Sequence, residues 1–305
     1  MQKRQIPHTD LAVFPLCLGT MTFGAPVAEA EAIMLTHWAL DHGINFIDTA
    51  NMYEGYARYV GSPGGVAEAI LGKALAGRRT QVVVASKVGM KIGPADDDQG
   101  LSRAHILREV ERSLKRMATD YIDLYYMHKP DAETPLAEAV HTFHELITLG
   151  KIRYWGLSNF SAAQISAVLQ LCDAAGWRRP VAVQPAYSLL KRDIETERLP
   201  LCQREALAVA PYQVLQGGLL TGKYQPNVAP PATSRLAEKP QWLMPLTGDM
   251  FNQLDELRRA ANAKGRTLLQ HALLALLEMP AIVSLIIGAK TPQQIATLLA
   301  AIGAN

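Results

Sequence analysis

Four residues of complementary chemistry stand at or just beyond the ends of short apolar runs. Asp48 closes Phe46-Ile47, Lys87 closes the run from Gln81 to Ser86, His128 ends the stretch that starts at Tyr121, and Tyr53 follows Asp48 by five residues. A carboxylate at the mouth of a buried strand needs a cation or several donors, because an unpaired buried charge is very costly. Lys87 can be that cation. Its ammonium would also favour the phenolate of a nearby tyrosine, whose ordinary pKa is about 10, and so make Tyr53 a better acid. His128 can hydrogen-bond a carbonyl and orient it. The sum is a general acid aimed at a carbonyl oxygen. That chemistry suits hydride delivery to the carbonyl carbon, and hydride requires a nicotinamide. Each residue alone has a plainer reading: a cap, a solvated amine, a structural imidazole, a packed ring. Their recurrence at consecutive strand ends is what points to a site.

The elements that must position them alternate along the chain. Strands are expected over Leu11–Thr20, Asn45–Asp48, Gln81–Lys87, Tyr121–His128, Ile152–Leu157, Val181–Gln184, Leu207–Tyr212 and Ile282–Ile287. Helices are expected over Ala28–Leu40, Val66–Leu75, Ser102–Met117, Pro135–Leu149, Ala162–Leu171, Thr196–Glu205, Asn252–Lys264, Thr267–Leu277 and Pro292–Ala301. Strand–helix alternation implies a parallel sheet. Eight such units in one chain of 305 residues favour a closed (β/α)8 TIM barrel in a single domain spanning 1–305, with its site at the C-terminal strand ends. A doubly wound sheet should carry G-x-G-x-x-G in its first turn, and that motif is absent. The segment Tyr224–Gly248, rich in proline and polar residues, reads as a long functional loop after the seventh strand.

Composition narrows the class. The formal net charge is +2 with acids and bases interspersed, which lacks the gathered basic face of a nucleic-acid binder. No apolar run approaches the roughly 20 residues of a membrane helix, and the first residues lack an apolar signal core. Cys17, Cys172 and Cys202 are too few and too scattered for a disulfide framework or metal cluster. These features lead to the expectation of a soluble, cytoplasmic, reduced protein, taken as monomeric or weakly homo-oligomeric; the strand-end residues, not the composition, lead to the expectation of a small-molecule carbonyl substrate. Three motif fragments fail on inspection. Gly217–Lys223 fits G-x-x-x-x-G-K, but Tyr224 stands where a Mg²⁺-binding hydroxyl belongs and Pro226 blocks the helix. His141 and His144 do not have the H-E-x-x-H order. Gly156–Phe160 lacks the second glycine of a nucleophile elbow, so Ser158 is no nucleophile.

The chain resembles the aldo-keto reductases over nearly its whole length. The resemblance rests on Leu18–Gly24, Asp48–Tyr53, Ala85–Val88, Asp120–Tyr125, His128, Gly150–Phe160, Val183–Pro185, Gly217–Tyr224 and Ile287–Pro292, in that order. It implies a catalytic tetrad of Asp48, Tyr53, Lys87 and His128 and an NADPH bound across the barrel mouth. Ser158, Asn159 and Gln184 would hold the carboxamide, Tyr212 would stack on the nicotinamide, and Thr20, Met21 and Asp48 would line the same area. Gln213, Leu215, Gly217 and Lys223 would follow the pyrophosphate under Arg235, and Gly288, Lys290 and Gln294 would take the adenosine end. The anion expected at Lys290 is the 2′-phosphate, which favours NADPH over NADH. Gln213-Val214 replaces the common Ser-Pro, and Leu298 replaces an asparagine that meets adenine, so both departures would weaken cofactor contacts. With no long C-terminal loop, substrate choice would fall to Met21 and the loops Tyr56–Gly65 and Tyr224–Gly248. The family also includes potassium-channel β subunits, which bind NADPH but commonly lack the histidine equivalent to His128. An NADPH-binding regulatory subunit is therefore the alternative, and a lyase or isomerase on the same barrel is a third.

Overall fold

The computed structural model describes residues 1–304. Eight parallel strands follow one another around a sheet: β3 (Leu16–Gly19), β4 (Phe46–Asp48), β5 (Val83–Val88), β6 (Ile122–Met127), β7 (Ile152–Ser158), β8 (Ala182–Gln184), β9 (Ala208–Val209) and β10 (Leu285–Gly288). β10 pairs with β3 at one edge, and the Val209–Ile282 bridge brings the segment leading into β10 against β9 at the other. The Val209 amide donates to Ala281 and the Val283 amide to Val209, so the sheet curls into the expected (β/α)8 barrel. Helices surround it: α1 (Glu29–Asp41), α2 (Val66–Ala74), α3 (Arg103–Met117), α4 (Leu136–Thr148), α5 (Ala162–Ala175), α6 (Arg198–Arg204), α7 (Arg235–Glu238), α8 (Gly248–Asn262), α9 (Leu268–Leu277) and α10 (Pro292–Ala301). Ser102, Ser161 and Thr267 cap α3, α5 and α9 by accepting backbone N–H bonds, as their residue types favour.

Strand side chains alternate between two cores, which is the period-2 rule at work. Leu16, Leu18, Ile47, Val84, Tyr125 and Trp155 belong to the layer packed under the helices. Cys17, Phe46, Ala85, Leu124, Tyr126, Ala182, Ala208 and Ile286 fill the barrel itself. Continuing that inward phase to the C-terminal strand ends reaches Asp48, Lys87, His128, Ser158 and Gln184. The barrel interior is dense: a Cβ on Gly156 would come within 2.5 Å of the Tyr126 ring, so glycine there makes room for that ring.

The boundaries depart from the sequence reading in places with clear causes. The run Leu11–Thr20 divides at Pro15, which has no N–H to donate. Its first part, β2 (Ala12–Val13), pairs antiparallel with β1 (Arg4–Gln5), and Ile6, Leu11 and Val13 join the inner core. β9 is shorter than Leu207–Tyr212 because Pro211 interrupts the ladder; Tyr212 instead bridges Ala186. The long loop contains α7, capped by Ser234, and α8 begins at Gly248 behind the Thr247 cap, four residues before the expected start at Asn252.

Candidate active site

The strand register sets Asp48 level with Gly19 on one side and Ala85 on the other, and sets Lys87 beside Tyr126. From there Lys87 Nζ donates to Asp48 Oδ2 at 2.6 Å, to the Thr49 carbonyl at 2.8 Å and to the Tyr53 hydroxyl at 3.2 Å. Asp48 Oδ1 accepts from Gln184 Nε2 at 2.8 Å, so both carboxylate oxygens are satisfied. The buried acid found its cation across two strands. His128 lies edge-on to the Tyr53 ring, with centroids 6.1 Å apart and planes at 80°. The structure thus brings all four expected catalytic residues together.

Electrostatics refines their states. Burial pushes the Tyr53 phenol above its ordinary pKa, and Lys87 opposes this without cancelling it. The lowering expected from charge alone is present but smaller than desolvation, which leaves Tyr53 protonated at neutral pH. Burial also works against the Lys87 ammonium, but Asp48 and then Tyr53 outweigh it, and Lys87 sits above the ordinary lysine value. Burial, followed by the charges of Lys87, Lys129 and Arg58, holds His128 well below the usual imidazole range, so it is neutral at neutral pH. An uncharged imidazole, an ammonium and a protonated phenol together can polarise a carbonyl and give it a proton.

A cleft of polar groups continues from this cluster. Ser158 Oγ donates to the Gln184 carbonyl at 2.9 Å, and Asn159 Nδ2 donates to the His128 carbonyl at 2.9 Å. Tyr212, half-buried, donates its hydroxyl to Asn159 Oδ1 at 2.7 Å. These amide and hydroxyl groups suit a carboxamide, and the partly exposed Tyr212 ring suits stacking of a flat heterocycle. Thr20 donates its backbone N–H, at 2.9 Å, and its hydroxyl, at 3.1 Å, to the Asp48 carbonyl, while Met21 is exposed beside it. Gln213, Gln216, Gly217 and Gly218 all have positive φ, and a Cβ on Gly218 would meet Lys223 Cε at 2.5 Å. Leu215 packs partly buried in the same turn.

At the far end, Arg235, Lys239 and Lys290 place their cationic groups 4.8, 5.5 and 5.7 Å from the centroid of the Tyr56 ring. Trp242 meets Tyr56 edge-on at 5.3 Å, so the long loop folds onto the loop after β4. Three cations gathered at one ring fit a polyphosphate. One carboxylate answers them: Lys290 Nζ donates to Glu238 as well as to the Thr233 carbonyl. A phosphate taken by Lys290 would therefore compete with Glu238. Gln294 Oε1 accepts from the Lys290 amide at 2.8 Å, and Gly288 has open space around it. Leu298 is buried in the core and offers adenine no hydrogen bond. The chemistry of the residues present, amide and hydroxyl groups at one end and cations at the other, fits a nicotinamide dinucleotide.

A family model described as "Aldo/keto reductase family" matches residues 15–304. This chain belongs to the aldo/keto reductase family. Its members are oxidoreductases that use nicotinamide cofactors. Among relatives, the chain is 34% identical over 302 residues to a probable voltage-gated potassium channel subunit beta of Arabidopsis thaliana, covering 97% of this chain and 89% of that protein. It is 36% identical over 312 residues to the uncharacterized oxidoreductase YrpG of Bacillus subtilis, covering 99% and 91%. The solved holo form of the aldo-keto reductase AKR11C1 from Bacillus halodurans superposes with a TM-score of 0.80 at 30% identity, covering all of this chain and 92% of that one.

The features passed over in the sequence are contacts rather than motifs. Nothing local marks Tyr56 and Glu238 as neighbours of Lys290, or Trp242 as a neighbour of Tyr56. Nor do Asn51 and Glu109, which meet behind the Tyr53 loop, share a sequence pattern. Of the Gly217–Lys223 fragment, Gly217 to Thr221 lie in a kinked 3₁₀ turn, and among the described residues no group of three metal-ligating side chains occurs. The aldo-keto reductase chain also has no described helix long and apolar enough to cross a membrane.

Proposed function

We propose that this chain reduces a small aldehyde or ketone with NADPH, Tyr53 acting as the general acid. The observation that carries the reading is the continuous Asp48–Lys87–Tyr53 hydrogen-bond chain beside a neutral His128. Tyr53 donates its phenolic proton to the carbonyl oxygen, and Lys87 stabilises the phenolate left behind. Asp48 keeps Lys87 charged and aimed. His128 offers an imidazole N–H that orients the carbonyl. The nicotinamide supplies the hydride when bound. Ser158, Asn159 and Gln184 would hold its carboxamide, Tyr212 would stack on it, and the Thr20–Met21 backbone would line the same wall. Gln213, Leu215, Gly217, Lys223 and Arg235 would follow the pyrophosphate, and Gly288, Lys290 and Gln294 would take the adenosine 2′-phosphate end. The test is loss of reduced-nicotinamide absorbance with a panel of aldehydes and ketones; no oxidation of NADPH by any of them would sink the proposal.

Two further results are expected. With His128 held neutral and Tyr53 raised, kcat/KM for reduction should be level from about pH 6 to about pH 9, because neither group titrates in that window. The sign is clear: lowering pH would have to protonate an imidazole whose pKa is depressed, and raising it would have to ionise a phenol whose pKa is elevated. An acid limb near 6.5 that disappears in His128→Gln would overturn this. At the other end of the cleft, Glu238→Gln should tighten NADPH binding by about 3–10-fold and leave NADH nearly unchanged, the scale of one partly exposed charge pair removed. Equal effects on both cofactors, read by titrating nicotinamide fluorescence, would place the 2′-phosphate elsewhere.

The alternative, a regulatory subunit, draws on the name carried by the Arabidopsis relative. His128, in place against Tyr53, favours turnover over mere binding. Binding of NADPH without turnover of any carbonyl, together with capture of a membrane partner, would reverse the ranking.

A further inference from the structure

Behind the barrel wall that carries Lys87 lies a second charged network, its carboxylates buried under partly exposed arginines and unused by the tetrad. Glu68 of α2 and Glu109 of α3 are both fully buried. Glu68 accepts from Ser86 Oγ at 2.5 Å and from Arg116 Nε at 2.7 Å. Ser86 precedes Lys87 on β5 and faces the opposite way. Glu109 accepts from Arg112 Nη1 at 2.8 Å and from Asn51 Nδ2 at 3.2 Å, with Arg116 Nη2 3.9 Å away. Asn51 lies on the short loop between Asp48 and Tyr53. Its backbone N–H donates to the Lys87 carbonyl at 3.2 Å, and the Tyr53 carbonyl accepts from Ala67 of α2 at 3.0 Å.

The surroundings are shaped for this network. A Cβ on Gly65 would meet Arg116 Cδ at 2.5 Å, and one on Gly72 would meet the Arg116 carbonyl at 2.6 Å, so glycines let α2 and α3 close over the ion pairs. Well-packed apolar residues in place of buried ion pairs are often no less stable. Stability alone therefore gives little reason for two buried carboxylates here. Their shared geometric consequence is that one reaches the loop bearing Tyr53 and the other reaches the strand bearing Lys87.

We propose that Asn51 and Glu109 form a positioning pair that fixes the Tyr53 hydroxyl against Lys87. This rests on the reductase reading above. The loop's side-chain tether to the helical layer is Asn51; without it the backbone bonds from Asn51 N–H to Lys87 and from Ala67 N–H to Tyr53 remain, and the segment between them is freer to shift the Tyr53 ring against Lys87. Displacements near 1 Å at a reacting group cost up to about 100-fold in rate.

The test uses the full-length protein with Asn51→Ala, Asn51→Asp and the exchange Asn51→Asp/Glu109→Gln, alongside Tyr53→Phe. Asn51→Ala should lower kcat about 10–100-fold, leave carbonyl KM and NADPH affinity within about twofold, and raise the deuterium isotope effect on hydride transfer. Its crystal structure should show the Tyr53 hydroxyl moved off Lys87. Asn51→Asp sets two carboxylates face to face and should be worse, while the exchange, which restores a donor and an acceptor with no change of net charge, should regain much of kcat. The proposal is overturned if Asn51→Ala keeps wild-type kcat while Tyr53→Phe is inactive. It is also overturned if a fall in kcat comes with an equal loss of cofactor affinity and no shift of Tyr53. Retained activity in Tyr53→Phe would instead sink the reductase mechanism itself, so the two failures are distinct.

Discussion

Tyr53→Phe should lower carbonyl reduction by about 10²–10⁴-fold, the usual contribution of a positioned general acid, while NADPH binding and fold stability stay near wild type. The substitution removes one oxygen and keeps the ring that packs edge-on to His128 at 6.1 Å. Lys87 loses its weakest contact, at 3.2 Å, and keeps Asp48 at 2.6 Å and the Thr49 carbonyl at 2.8 Å. No buried charge is orphaned, so the melting temperature has no reason to move. The loss should fall on kcat, since the proton is transferred in the transition state and not on binding. Steady-state rates with one aldehyde and one ketone, with NADPH affinity measured in parallel, decide the matter. An unchanged rate would remove Tyr53 from the mechanism.

The largest effect on stability is expected at the other end of the same chain. Lys87→Met removes the cation from Asp48, which is 2% exposed and would keep Gln184 as a side-chain donor. Breaking a buried pair from one side costs about 3–5 kcal/mol, because the remaining charge is stranded. The double variant Asp48→Asn/Lys87→Met removes both charges and should recover most of that stability without recovering activity. Urea denaturation midpoints and aldehyde reduction rates for both variants separate the two roles. A single Lys87→Met variant as stable as wild type would mean that Asp48 does not depend on Lys87. Recovery of activity in the double variant would show that the charge of Lys87 is not needed for catalysis.

These two experiments probe what was most legible in the chain. Asp48, Lys87 and His128 could be read because each ends an apolar strand, and a strand points alternate side chains the same way. Once β4, β5 and β6 are parallel neighbours, their last inward residues must share one rim. Ser158 and Gln184 follow by the same rule. The elements between were readable through their caps and turns, as at Ser102, Ser161 and Thr267. The structure departs from that pattern where a single proline breaks a ladder: Pro15 divides the first strand and Pro211 shortens β9.

The sequence by itself determined the order of strands and helices, the inward phase of the strand ends and hence the residue types at the mouth of the barrel. Those depend on local spacing, which the backbone periodicity converts directly into position. Tertiary structure alone decided the balance of charges. Tyr53 is raised because its burial outweighs Lys87, a comparison that requires knowing the depth of the pocket. Lys290 meets Glu238, 52 positions earlier, because the long loop folds back across the mouth. Asn51 reaches Glu109, 58 positions later, because α3 packs behind the loop. Such pairings arise from desolvation and from distance in space, and neither has a period along the chain.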